Sequence, residues 1–204
     1  MNRAELKAAA KEQIKGNIGM LFLCSIIIFA IGFVAGLLPG IGTVASLIVS
    51  PAFSVGLCLV YLGLTEGQKA EVGTLFQGFQ YLGKALWLAV LIAVFTFLWS
   101  LLFVIPGIVK AYSYSMAFYI LAENPEMTAR EALQESKEIM NGRKMELFIL
   151  QLSFILWILL VTVTFGIAAI YVVPYQTCTV ANFYQKIKRQ PVAQRMPVAE
   201  EETI

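Results

Sequence analysis

Residues 16–65 read GNIGMLFLCSIIIFAIGFVAGLLPGIGTVASLIVSPAFSVGLCLVYLGLT, fifty consecutive positions without a charged side chain. A helix rises about 1.5 Å per residue and a hydrocarbon core is about 30 Å thick, so roughly 20 apolar residues make one crossing. The stretch therefore holds two crossings and a turn. Leu38-Pro39-Gly40 supplies the turn, because proline and glycine interrupt a helix where the chain must reverse. The reading is a hairpin of two spans, near 17–38 and 43–65.

Two further uncharged runs, 85–109 and 147–185, extend the pattern and predict spans near 85–105, 108–123, 146–164 and 167–185. Gly16 precedes Gly40-Ile41 by 24 positions, Gly83 precedes Gly107-Ile108 by 24, and Gly142 precedes Gly166-Ile167 by 24. Recurrence at a fixed period decides an architecture before any single residue does. The expected fold is all-α: a polytopic membrane protein with six transmembrane helices arranged as three repeated hairpins, each preceded by a cytoplasmic amphipathic helix. One transmembrane domain covers 1–185, with repeat units of about 2–65, 70–123 and 128–185. Residues 186–204, with Pro191, Pro197 and Glu200-Glu201-Glu202, read as a disordered cytoplasmic tail. Composition agrees, with 59% hydrophobic and 14% charged residues against about 25% charged in soluble domains.

Basic residues near short loops stay on the cytoplasmic side. The six-span reading places fourteen of the fifteen on one side and leaves Lys110 on the other, so both termini are expected in the cytoplasm. The apolar run after Lys15 reads as a retained first span, since Glu5 and Glu12 lie in its front region and no small-x-small cleavage site precedes Pro39.

The segments before each hairpin carry apolar residues at helical spacing: Leu6, Ala10 and Ile14 beside a stripe of Lys7, Lys11 and Lys15; Val72, Leu75, Phe76, Phe79 and Leu82; and, after the capping-box pattern Thr128-Ala-Arg-Glu131, a face including Leu133, Ile139 and Met140. Two readings stand. Such helices anchor hairpins in the headgroup layer with their cations on anionic lipid, or Leu133, Ile139 and Met140 form a face that docks a membrane or cytoplasmic protein partner.

Gly32, Gly36 and Gly40 form a small-residue face suited to helix packing within the chain or to a homo-oligomer. The second helix of each hairpin carries a polar stripe: Ser46, Ser50 and Ser54; Tyr112, Ser115 and Tyr119; Tyr171, Tyr175 and Asn182. Either these line a polar cavity with Lys110 at its outer mouth, or they join helices by hydrogen bonds, as such residues do in membrane bundles.

The chain has no histidine and, with every acidic residue a glutamate, no aspartate. His-based metal sites and general bases are therefore excluded, and no Walker-type loop or serine-nucleophile motif occurs. Cys24, Cys58 and Cys178 fall in predicted spans without CxxC spacing and read as apolar filler. The expectation is no enzyme, no cofactor, no metal and no nucleic-acid partner.

The stretch Pro106-Gly-Ile-Val-Lys-Ala-Tyr-Ser-Tyr114, then Tyr119-Ile-Leu-Ala-Glu-Asn-Pro125, Glu131-Ala-Leu133, Ser136 and Met140-Asn-Gly142 resembles the bacterial integral membrane family called domain of unknown function 975. So do Leu147-Phe148, Leu152-Ser-Phe154, Trp157, Pro174-Tyr175 and Ala181-Asn-Phe-Tyr184. The resemblance covers roughly 106–184 and implies a multi-pass protein of the bacterial cytoplasmic membrane; it brings no activity with it. Two function classes follow: a non-catalytic membrane module binding lipid or a partner protein, or a transporter or exporter component for a small polar or amphipathic molecule.

Overall fold

The computed structural model describes residues 3–189 apart from Pro39 and Phe103, with side chains for all of these except 41 and 99–106. Every regular element among them is helical: α1 (Arg3–Ile14), α2 (Ile18–Gly36), α3 (Ile41–Thr65), α4 (Val72–Gln77), a 3-10 turn (Gly78–Tyr81), α5 (Leu82–Leu102), α6 (Val104–Tyr114), α7 (Ala117–Glu123), α8 (Ala129–Ile139), α9 (Lys144–Leu152), α10 (Ile155–Val163) and α11 (Ala169–Lys188).

Four stretches among the described residues are helical, long and apolar enough to cross a membrane: Ile18–Gly36, Gly42–Thr65, Val72–Leu98 and Lys144–Val163. The other two predicted spans are different in kind. Residues 108–123 divide between α6 and α7, and α11 carries Gln176, Thr177, Thr179, Asn182 and Gln185, which dilute its apolar character. Helix α11 also runs to Lys188, past the predicted tail boundary at 186, while the expected disorder of 190–204 lies outside the described residues.

Burial is uneven along the helices. In α2, Leu21 and Cys24 are buried, whereas Phe29, Phe33 and Val34 are exposed; in α3, Val44 and Leu47 are exposed and Ala52, Phe53, Val55 and Val60 buried; α10 buries nothing. The buried parts of α2, α3 and α11 lie toward the ends that carry the chain's charges. The physical reason is solvent: where water reaches, burying a large apolar side chain gains about 1.5–3 kcal/mol, while lipid tails are as apolar as leucine and give helices no comparable drive to associate. The second half of α3 is the hub, touching α4, α5, α7 and α11.

Close backbone approach explains part of that packing. A Cβ at Gly56 would lie 2.0 Å from Leu75 O, and one at Gly78 would lie 2.1 Å from Ala52 O. Only glycine lets α3 cross the α4 region at this separation, and Phe53 then meets Phe79 edge to face at 5.0 Å. At the other end of α3, a Cβ at Gly42 would lie 1.6 Å from Ala35 O. The predicted packing face of Gly32, Gly36 and Gly40 is not used this way: nothing stands within 4 Å of a Cβ at any of the three, because α2 approaches α3 through Ala35 and Gly42.

The glycines expected at turns behave in two ways. Gly16, Gly40, Gly142 and Gly166 all have positive φ, from 72° to 92°. Gly83 and Gly107 instead lie inside α5 and α6, so Gly107-Ile108 is not the turn that its spacing predicts. Pro51 and Pro174 also sit inside helices, and both α3 and α11 continue through them.

Two breaks have serine at their centre. Ser115 Oγ donates to Tyr112 O at 2.8 Å between α6 and α7, and Ser153 Oγ donates to Leu150 O between α9 and α10. The first break is braced from outside. Buried Ser136 of α8 donates to Ser113 O at 2.8 Å and accepts from Met116 N–H at 3.2 Å, satisfying backbone groups that the interrupted helix leaves open.

Candidate functional site

The polar residues predicted to line one cavity are distributed over several neighbourhoods. Ser46, Ser50 and Ser54 border an open crevice of about 260 Å³ between α2 and α3, otherwise walled by apolar residues such as Ile28 and Phe53. Ser54 Oγ donates to Ser50 O at 3.0 Å, an internal helix contact. Tyr112 donates to Gln151 Oε1 at 2.7 Å, tying α6 to α9, while Ser115 belongs to the α6–α7 break.

Tyr119 is buried and stacks on Tyr184 at 5.5 Å; Tyr184 donates to Glu123 Oε2 at 2.6 Å, and Lys188 pairs with Glu123 at 2.6 Å. Tyr171 and Tyr175 gather with Trp157, and Tyr175 also meets Phe154. Asn182 exchanges amide hydrogen bonds with Gln13, whose Oε1 also accepts from Cys178 Sγ at 3.1 Å. Apart from Ser54 with Ser50 and Tyr171 with Tyr175, which lie within one helix, these contacts join helices or brace a helix break, and the expected single cavity is not assembled from these residues, because their hydroxyl, ring and amide groups are turned to several different neighbours.

Helix α1 shows why. Leu6, Ala10 and Ile14 are buried, and α1 lies against α11 in antiparallel sense, with Gln13 at Asn182 and Glu5 at Lys186. Its apolar face meets protein. Lys7 leaves the basic stripe to sit 4.3 Å above the Phe154 ring and donate to Ser153 O at 3.1 Å. Burial first, then the charge of Arg3, hold the Lys7 ammonium below the ordinary lysine pKa.

The predicted docking face is likewise occupied. Leu133, Ile139 and Met140 are 7%, 4% and 0% exposed, in a core where α8 packs on α5, α6 and α7. The start of α8 follows the sequence reading: Thr128 accepts from Glu131 N–H at 3.3 Å and Glu131 Oε2 accepts from Thr128 N–H at 2.7 Å. The Thr128 backbone donor, then its side chain, hold the Glu131 carboxyl below the usual range.

Lys110, predicted at an outer mouth, stands near the start of α9. It and Lys137 stand close enough to Lys144 for their charges to repel it. Lys110 therefore lies on the side of α6 that faces the start of α9.

Beside the α8–α9 turn runs the feature that sequence reasoning missed, a groove of about 720 Å³ between α5 and α8. One wall is Leu91, Phe95 and Tyr114; the other carries Arg130, Gln134, Lys137, Asn141 and, from α9, Lys144. Residues 130, 134, 137 and 141 recur at helical spacing, a signal legible in the chain once the apolar face of α8 is known to be buried.

Among the described residues no three His, Cys, Asp or Glu side chains come together to hold a metal. No curated protein and no solved structure matches the chain. The family described as "Protein of unknown function (DUF975)" matches residues 1–113 and 101–191, which includes the first third of the sequence as well as the motifs from Pro106 onward. A match of that extent, over a helical chain with four helices of membrane-crossing length and apolarity, places this protein in the DUF975 family of unknown function.

Proposed function

We propose that this protein is a multi-pass membrane module of three hairpins and six spans, with both termini cytoplasmic, that binds lipid or a partner protein and catalyses no reaction. The observation behind it is the uneven burial. A tightly packed, charge-bearing base continues into helix segments whose large apolar side chains, such as Phe29, Leu47, Leu159 and Phe165, are left mostly uncovered by protein. Lipid suits those surfaces. The four apolar stretches leave out α6, α7 and α11; α6 packs along α5, and α7 and α11 pack on α3, and their place beside those stretches supports counting them as the remaining crossings.

The transporter reading has less behind it, because the polar residues it needs are engaged in separate pairs. Native purification in lipid particles followed by mass spectrometry tests the module: bound lipid or protein is expected, and a chain that holds neither overturns it. Cysteines placed at Phe165 and Glu66, in a background where Cys24, Cys58 and Cys178 are replaced, test the topology. A membrane-impermeant maleimide applied to whole cells is expected to label position 165 and to leave 66 unlabelled; the reverse pattern inverts the orientation.

A further inference from the structure

We infer that the α5–α8 groove is a binding site for an anionic phospholipid, with the headgroup phosphate held by Arg130, Lys137 and Lys144 and an acyl chain laid against Leu91 and Phe95. The inference rests on the membrane-module reading and names its ligand and its site.

The groove has the two surfaces such a molecule requires. Leu91 and Phe95 belong to the Val72–Leu98 stretch, one of the four helices apolar enough to cross a membrane, so this wall is continuous with a lipid-facing surface. Phe95 and Tyr114 approach at 6.3 Å and close the apolar end with aromatic edges. The facing wall is cationic. Arg130 and Lys137 lie along one side of α8, two turns apart, and Lys144 opens α9 just beyond, with Lys110 near enough to repel it.

Like charges gathered at one place are costly unless an anion joins them. The ion pairs of Lys186 with Glu5 and of Lys188 with Glu123 lie elsewhere and use none of Arg130, Lys137 or Lys144. The one carboxylate lining the groove, Glu138, accepts from Gln134 Nε2 at 3.1 Å. A volume of about 720 Å³ accommodates a headgroup and the start of a chain, within the usual range of roughly 300–1,000 Å³ for ligand pockets. A free phosphate ion satisfies the cations and leaves Leu91 and Phe95 unexplained; a zwitterionic lipid places its own ammonium among them.

The test is native mass spectrometry of the full chain in detergent, titrated in turn with phosphatidylglycerol, phosphatidylcholine and inorganic phosphate. The wild type is expected to hold one phosphatidylglycerol in preference to phosphatidylcholine, with phosphate neither bound nor competing. The triple variant Arg130→Gln, Lys137→Gln, Lys144→Gln is expected to weaken that binding about 100-fold, from a surface cation's worth of roughly 1 kcal/mol for each of three positions. A control with the same charge loss at exposed sites outside the groove and outside the α1 lysine stripe, Arg3→Gln, Lys69→Gln, Arg189→Gln, is expected to bind as the wild type does.

Equal retention by the groove variant and the wild type overturns the site while leaving the module intact, since lipid is still held. Equal loss in the control also overturns it, showing bulk charge instead of a groove. Competition by inorganic phosphate at millimolar levels overturns the lipid assignment. Should the groove variant fail to fold, a photoreactive phosphatidylglycerol on the wild type decides: labelling within 91–95 and 130–144 is expected, and labelling confined to other segments refutes the site. A wild type that retains no lipid and no protein fails the module reading itself.

Discussion

Ser136 illustrates how one polar atom can set the course of the chain. Its hydroxyl serves both sides of the α6–α7 break, and it is fully buried. Ser136→Ala strands Met116 N–H and is expected to cost about 1–3 kcal/mol, read as a lower thermal unfolding midpoint in detergent. No change in the midpoint would show that the break needs no brace. The glycines give a paired prediction. Gly56→Ala forces a Cβ against Leu75 O and is expected to reduce folded yield on size exclusion, whereas Gly32→Ala meets open space and gains helix propensity of up to about 1 kcal/mol. If Gly32→Ala is the more damaging of the two, α2 packs through the face that its GxxxG spacing suggested. At this scale the sequence was read unevenly. Gly16, Gly40, Gly142 and Gly166 were legible as turns, since positive φ is what glycine permits. Gly56 and Gly78 were not, because a close approach depends on which helix arrives from elsewhere in the chain.

The longest helices were the most legible elements. Spans predicted at 17–38 and 43–65 correspond to Ile18–Gly36 and Ile41–Thr65, because a fifty-residue run without charge leaves few alternatives. The breaks after Tyr114 and Leu152 were hidden, since a serine in an apolar run is compatible with a continuous helix and its competing bond to a carbonyl appears only in three dimensions. Helix α8 was legible at its start and misassigned on its face: the same apolar spacing suits a partner and the chain's own core, and burial assigns it to the core. Its cap carries a pH dependence with a definite sign. The Glu131 pKa is depressed in the fold, so the contribution is present above the unfolded-state pKa and is lost as pH falls through the lower folded value. Glu131→Gln is expected to lower the thermal midpoint at neutral pH and to flatten its decline on acidification below the ordinary carboxylate range. A parallel decline in variant and wild type would remove Glu131 from the account.

Across the whole molecule, the exposed apolar side chains make a claim about solvent. Leu47 and Leu159 are 65% and 59% exposed; on a water-facing surface, arginine at either is nearly neutral, while in a bilayer it costs about 2.5–3.5 kcal/mol near a helix centre. Leu47→Arg and Leu159→Arg are expected to reduce the amount recovered in the membrane fraction, and undiminished recovery would mean that these surfaces do not face lipid. The whole was less legible than its parts because charge patterning reports which side of a membrane a residue occupies and says nothing of how tightly helices pack there. Cohesion collected at the base has a mechanical consequence. Apolar segments that bury little beyond it, such as α10 and the exposed end of α2, act as separate struts on one footing, so a thinner or more strongly curved bilayer is met by tilting each strut, at a fraction of a kcal/mol per ångström of mismatch, and the footing keeps its shape.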